Sequence, residues 1–386
     1  MAQTFHRDRF TWLAYLFLAF YGYLLNVLGP ITPFLKDELD LSYTVSSLHF
    51  TAFAAGILLV GLGGHWLIQR IGRWRSLWIG ALGMSLGALL LVTGRTPVIT
   101  IGASFLMGLI GSLILVIVPV ALSDQHGELR AVALSEANVI STLAAATAPL
   151  MIGLFARFSG GWRMALGIVA FTPLLLYWGL GKTPSPTTPA GWAAAAAQPD
   201  QTHTKQPLPS LFWVYWLALV LAVSAEFCMI SWSADYLENV LGMLKADAAQ
   251  AVSLFFAGMI LGRMAGSRLV QRFPTSQVIS VSILLAGLGF MLFWKSGGVF
   301  LGLSGLFLTG LGIATLYPLI LSLAIGTTSD TVQASARATL ASGTAILTLP
   351  LVLGRLADAV GIGAAYGVVA LLLVGAFLIV QVAGRR

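Results

Sequence analysis

The chain has 386 residues, of which 58% are hydrophobic and only 9% charged, with a formal net charge of +7. A soluble domain carries roughly 25% charged residues, so water cannot solvate most of this surface and the chain is expected to be integral to a lipid bilayer. The basic excess does not point to nucleic acid, because Lys and Arg sit in short turns between apolar segments and form no continuous patch.

The N-terminal stretch MAQTFHRDRF is polar, and the apolar run after it is too long for the core of a cleavable signal peptide. A spanning helix needs about 20 mostly apolar residues. Twelve segments qualify, near 11–34, 44–68, 75–94, 97–123, 131–157, 163–181, 210–234, 248–270, 276–295, 299–325, 335–357 and 362–383. These runs lack the period-two alternation of a membrane barrel, so the fold class is an all-α membrane protein. Residues 182–209 break the pattern with six prolines, polar residues and an alanine run. They read as a linker between a first bundle, 1–181, and a second, 210–386.

The two bundles are related by duplication. FAAGILLVGLGGHWLIQR at 53–70 recurs as FFAGMILGRMAGSRLVQR at 255–272, with eight identities in eighteen positions, Gly56/Gly258, Gly64/Gly266 and Arg70/Arg272 among them. STLAAATAPLMIGLFA at 141–156 recurs at 342–357 with seven of sixteen residues shared, including Pro149/Pro350 and Gly153/Gly354. Parallel halves of this kind have a pseudo-twofold axis along the membrane normal and place a substrate path between them.

Twelve spans put both termini on one side. With the termini inside, thirteen Lys and Arg fall on the inner loops and seven on the outer, so the termini and the linker are expected to be cytoplasmic. The acid-rich stretch 36–40 (KDELD) then faces outward.

Two six-helix halves, a central linker and a basic turn after the second span of each half resemble the major facilitator superfamily, over essentially the whole chain. The specific motif is the turn between spans 2 and 3, Gly64-His-Trp-Leu-Ile-Gln69-Arg70-Ile-Gly72-Arg73-Trp74-Arg75. The resemblance implies that Gln69, Arg70 and Arg73 belong to a cytoplasmic gate. The family places an acid where Gln69 stands, and an amide can hydrogen-bond but cannot form an ion pair. Gly64 is expected to let helices approach closely, and Gly72 to permit a tight turn. The second half looks similar to the fucose-permease-like group around Ala225-Glu226, Gly262-Arg263, Gly310-Leu-Gly312 with Tyr317-Pro318, and Ser335-Ala-Arg337. Sugar–proton symporters of that group carry an acid in span 1, and span 1 here has none.

Charges inside a bilayer are costly and mark function. Glu226 lies nine residues before Asp235, which falls at the outer end of span 7. That spacing is about 13 Å of depth, close to the midplane. As a functional group Glu226 loads and releases a proton or hydrogen-bonds the substrate; as a structural one it bonds to hydroxyls of a neighbouring helix. Arg263, Glu136 and Arg337 read as gate charges, with the duplication setting Glu136 opposite Arg337; an anionic substrate would make Arg263 a ligand instead. Tyr21, Tyr23 and Asn26 on span 1, Trp232 on span 7 and Tyr317 on span 10 are candidate substrate-lining residues, although any of the aromatics serves equally as packing. Pro149 and Pro350 are expected to kink their helices.

Cys228 is the lone cysteine, and His49, His65 and His126 have no metal-ligand spacing, so neither metal nor cofactor is expected. No glycine loop with Lys opens a helix, which argues against an ATP-driven pump, and no nucleophile–base–acid set argues for an enzyme. The expected function is secondary transport of a small polar, sugar-like molecule by alternating access, with protons as the coupling ion or the substrate gradient alone. Proton antiport of amphipathic drugs and a non-transporting receptor of the same fold are the alternatives. The chain is expected to act as a monomer in the lipid of a cell inner membrane.

Overall fold

The computed structural model describes residues 5–181, 183, 207–328 and 331–383, which form helices and no strand. The predicted linker falls outside the described residues except for Thr183 and residues 207–209. We label the twelve passes α1 to α12. They are α1 Arg9–Glu38, α2 Tyr43–Ile71, α3 Arg73–Thr93, α4 Pro97–Gly111 continued by Leu113–His126, α5 Arg130–Phe155 and α6 Arg163–Leu180. After the linker come α7 Ser210–Asn239, α8 Lys245–Leu269, α9 Thr275–Trp294, α10 Val299–Ile325, α11 Thr331–Val360 and α12 Ile362–Ala383.

Eleven helical stretches are long and apolar enough to cross a membrane. One of them, Pro97–Phe155, has 59 residues. At 1.5 Å per residue it exceeds two hydrocarbon thicknesses of about 30 Å each. Its reversal is at Gly127, which ends α4 at φ +52 and leads through a short 3-10 turn into α5. The chain therefore makes the twelve passes read from its apolar segments. Large apolar side chains such as Trp178, Phe300 and Val98 stay exposed on the outside of the bundle, as a lipid-facing surface requires.

Helix starts follow local chemistry. The Asp8 carboxylate accepts from the Thr11 amide at 2.7 Å, and the Ser42 hydroxyl from the Val45 amide at 3.2 Å, satisfying donors that open α1 and α2. Gly72 joins α2 to α3 at φ +93, a conformation that a side chain would strain, as its motif position predicts. The close approach expected at Gly64 lies elsewhere: a Cβ there would chiefly meet Val60 of its own helix. The backbones touch instead where Gly56 and Gly108 bring α2 onto α4. A Cβ on Gly108 would sit 2.0 Å from the Phe53 carbonyl oxygen. The second half repeats this contact: a Cβ on Gly310 would sit 2.1 Å from the Phe255 carbonyl oxygen, and one on Gly258 beside the Phe307 carbonyl. The duplicated residues thus build the same helix crossing twice.

Five passes are broken: α1 at Val27, α4 at Ser112, α6 at Phe171, α10 at Ala314–Thr315 and α12 at Tyr366–Gly367. The α4 and α10 breaks occupy equivalent places in the repeat. Helices α5 and α11 run through Pro149 and Pro350 without interruption. The carbonyls around Pro350 are used between the halves, because Thr51 donates to Leu347 O at 3.1 Å and the Trp232 indole donates to Pro350 O at 3.2 Å.

Candidate functional site

The seam between the first six and the last six helices is formed by α2 against α11, α5 against α8, and α1 against α7. Its polar contacts concentrate on the face opposite the termini, here called the distal face. There Lys36 at the end of α1 pairs with Asp235 near the end of α7. The Asp235 side chain is fully buried, and the Lys36 ammonium also lies 4.0 Å from the centre of the Tyr43 ring. Lys245 joins Asp37 and Glu238, and Arg157 joins Asp247. The Asp358 carboxylate near the end of α11 accepts from the Tyr43 and Thr44 amides, both at 2.8 Å, at the positive end of the α2 dipole. Beneath these charges Trp232 is fully buried between Tyr43 and Phe50.

Toward the termini the seam opens. Leu58 against Gly343 is a last close contact of α2 with α11, and a Cβ on Gly61 or Gly63 would meet nothing within 4 Å. Along α5 and α8 the deepest cross-half hydrogen bond among the described residues runs from Arg263 Nη1 to Thr142 Oγ1, at 2.9 Å. Thr142 lies near the middle of α5, and Glu226 near the middle of α7. The charge that acts on Glu226 across space is Arg263. The two are farther apart than an ion pair, and the Glu226 carboxylate accepts no hydrogen bond among the described residues. Immediately distal to Glu226 is a small apolar pocket bounded by Leu25, Phe50, Phe53, Phe227, Ile230 and Ile346, with Ser231 as its polar member. The seam thus holds an acid near mid-helix and a base toward the termini, with an apolar pocket on the distal side and its ion pairs, among the described residues, concentrated distally.

A model of the Major Facilitator Superfamily matches residues 11–250. The chain belongs to the Major Facilitator Superfamily. Among curated relatives, a glucose/galactose transporter of Brucella abortus biovar 1 is 24% identical over 373 residues, covering 90% of this chain and 87% of that protein. Protein TsgA of Salmonella typhimurium is 24% identical over 296 residues, covering 75% and 72%. Among solved structures, a bacterial homolog of the human lysosomal transporter Spinster, in an inward-facing and occupied conformation, superposes with a TM-score of 0.82 at 14% identity, covering 100% of this chain and 98% of that one. A D-xylose–proton symporter superposes with a TM-score of 0.77 at 16% identity, covering 97% and 96%. These likenesses confirm the fold, and the chain is a superfamily transporter.

Within the superfamily gate motif, Gln69 is exposed and makes no hydrogen bond among the described residues. Arg70 lies over the Trp66 ring, and Arg73 pairs with Asp124 of α4 at 2.6 Å, within its own half. The pairing of Glu136 with Arg337 suggested by the duplication does not form. Glu136 takes Arg7 in a two-point bond at 2.6 and 2.8 Å, while Arg337 is exposed and its backbone carbonyl accepts from Trp216. Both arrangements stay inside one half.

The expected substrate-lining residues separate. The Tyr23 hydroxyl donates to Ala165 O of α6, and the Asn26 amide to Gly22 O one turn back in its own helix. Tyr21 is buried edge-on against Phe53, and its hydroxyl finds no hydrogen-bond partner among the described residues. Trp232 belongs to the distal closure, and Tyr317 is half-buried at the start of the second segment of α10. Of all these residues, Glu226 and Arg263 are the two whose charges interact, from beyond ion-pair distance. The reading from residues alone missed Lys36–Asp235, whose only signal was an acid and a base at the outer ends of spans 1 and 7. Among the described residues no cluster of His, Cys, Asp or Glu forms a metal site.

Proposed function

We propose that this transporter moves a small polar, sugar-like molecule by alternating access, with Glu226 carrying the coupling proton. Glu226 carries the reading: it is a carboxyl near mid-membrane, beside the seam, without a hydrogen-bond partner among the described residues. A group so placed is costly to keep unless it is used. The relative named for glucose and galactose, and the neighbour named a D-xylose–proton symporter, favour a sugar and a proton. The chain is divided at 182–209 into two bundles that rock about the seam. Its termini and linker lie in the cytoplasm of a cell whose inner membrane it spans as a monomer, so the described conformation faces inward.

Uptake of glucose, galactose and xylose into proteoliposomes, with and without an inward proton gradient, tests this. Glu226→Gln is expected to abolish proton-driven accumulation and to spare counterflow exchange. Accumulation that persists in the variant would remove Glu226 from coupling. The apolar pocket lined by Phe50, Phe53 and Phe227 favours a second reading, export of amphipathic molecules. Lipophilic cations that raise the melting temperature when no sugar does would favour it.

A further inference from the structure

Arg263 lies within a helical span next to the seam, six residues before the end of α8. Its guanidinium is charged at any accessible pH and offers five N–H donors. Among the described residues it makes a single hydrogen bond, to Thr142 Oγ1, and no ion pair. Its side chain is exposed rather than covered by neighbouring helices. A cation within the span with four unused donors is a poor structural tie, since a tie gains by satisfying the group it holds. An opposite charge, Glu226, interacts with it from beyond ion-pair distance. The seam therefore presents a head that only donates and a head that accepts, with a gap between them and an apolar roof on the distal side.

Charge accounting narrows what fills the gap. With Glu226 ionised the pair is neutral. Once Glu226 takes a proton, Arg263 is the uncompensated charge in a low-dielectric space, and a bound monoanion restores neutrality. Proton and anion would then enter together. Resting on the transport of a hydroxylated molecule argued above, we propose that the substrate carries an anionic group, a carboxylate or phosphate on a polyhydroxyl frame, with its anion on Arg263 and its hydroxyls toward Glu226.

Counterflow in proteoliposomes of the full chain tests this with galacturonate, galactose 6-phosphate, galactose and alanine as probes. Galacturonate is expected to exchange at least tenfold better than galactose. Arg263→Gln is expected to remove that advantage, and Arg263→Lys to keep part of it. Thr142→Val removes the cross-half bond but keeps the charge, so it should retain the preference and control for loss of the seam contact. Exchange of the sugar phosphate in place of the acid supports the anion and fixes its type. Equal exchange of galacturonate and galactose by the wild type, or a galacturonate advantage that survives in Arg263→Gln, overturns the anionic class but leaves the sugar reading standing. A preference for alanine, whose ammonium would face Glu226, overturns it in favour of a zwitterion. Exchange of none of the hydroxylated probes overturns both readings.

Discussion

Asp235→Asn is expected to open the distal face. Asp235 has no exposed side-chain surface, and Lys36 keeps only 13%. The substitution preserves shape but leaves the Lys36 charge enclosed without its partner. Removing one member of a buried pair costs about 3–5 kcal/mol. The Tyr43 ring at 4.0 Å still faces the ammonium, which draws the expectation toward the lower end of that range. The penalty falls only on the closed state, because Lys36 is hydrated once the halves part on this side. At 1.4 kcal/mol per tenfold, the equilibrium shifts roughly a hundredfold or more toward the distally open form. A thiol probe reads this directly. Ser231, almost fully buried at the pocket roof, becomes the reporter as Ser231→Cys in a Cys228→Ala background. A membrane-impermeant maleimide added at the distal face should label it slowly in the parent and rapidly with Asp235→Asn. Replacing both partners, Lys36→Met with Asp235→Leu, removes the stranded charge and should restore protection. Unchanged labelling in the single variant, or faster labelling in the double than in the single, would refute the latch.

Three further outcomes follow from particular contacts. Gly108→Ala places a methyl 2.0 Å from the Phe53 carbonyl oxygen and should cost about 1–3 kcal/mol by overpacking; Gly61→Ala, with open space around its Cβ, should leave the melting temperature in detergent unchanged or raise it. Trp232→Phe removes the donor to Pro350 O and should weaken distal closure by about 1 kcal/mol, seen as a several-fold faster labelling of the Ser231→Cys reporter. Gln69→Ala should change neither melting temperature nor labelling, since Gln69 makes no hydrogen bond among the described residues in this conformation; a clear change in either would mean that the gate motif acts even while its face is open.

Composition and apolar run length were enough to place this chain in a membrane, to count its passes and to set Glu226 near mid-depth. These properties depend on local hydropathy and on the fixed rise of a helix, which need no knowledge of neighbours. The internal repeat announced the two halves, and its glycines and phenylalanines build the same crossing in each because equivalent backbones meet at equivalent residues. Pairing across the seam was a different matter. Glu136 and Arg337 are symmetric in sequence, yet one finds Arg7 and the other stands exposed, because the halves part on that face. Lys36 and Asp235 meet across 199 residues of chain because the halves close on the other. Which charges touch, and which aromatics pack instead of lining a path, depends on how two bundles lean against each other, and no periodicity along either one records that.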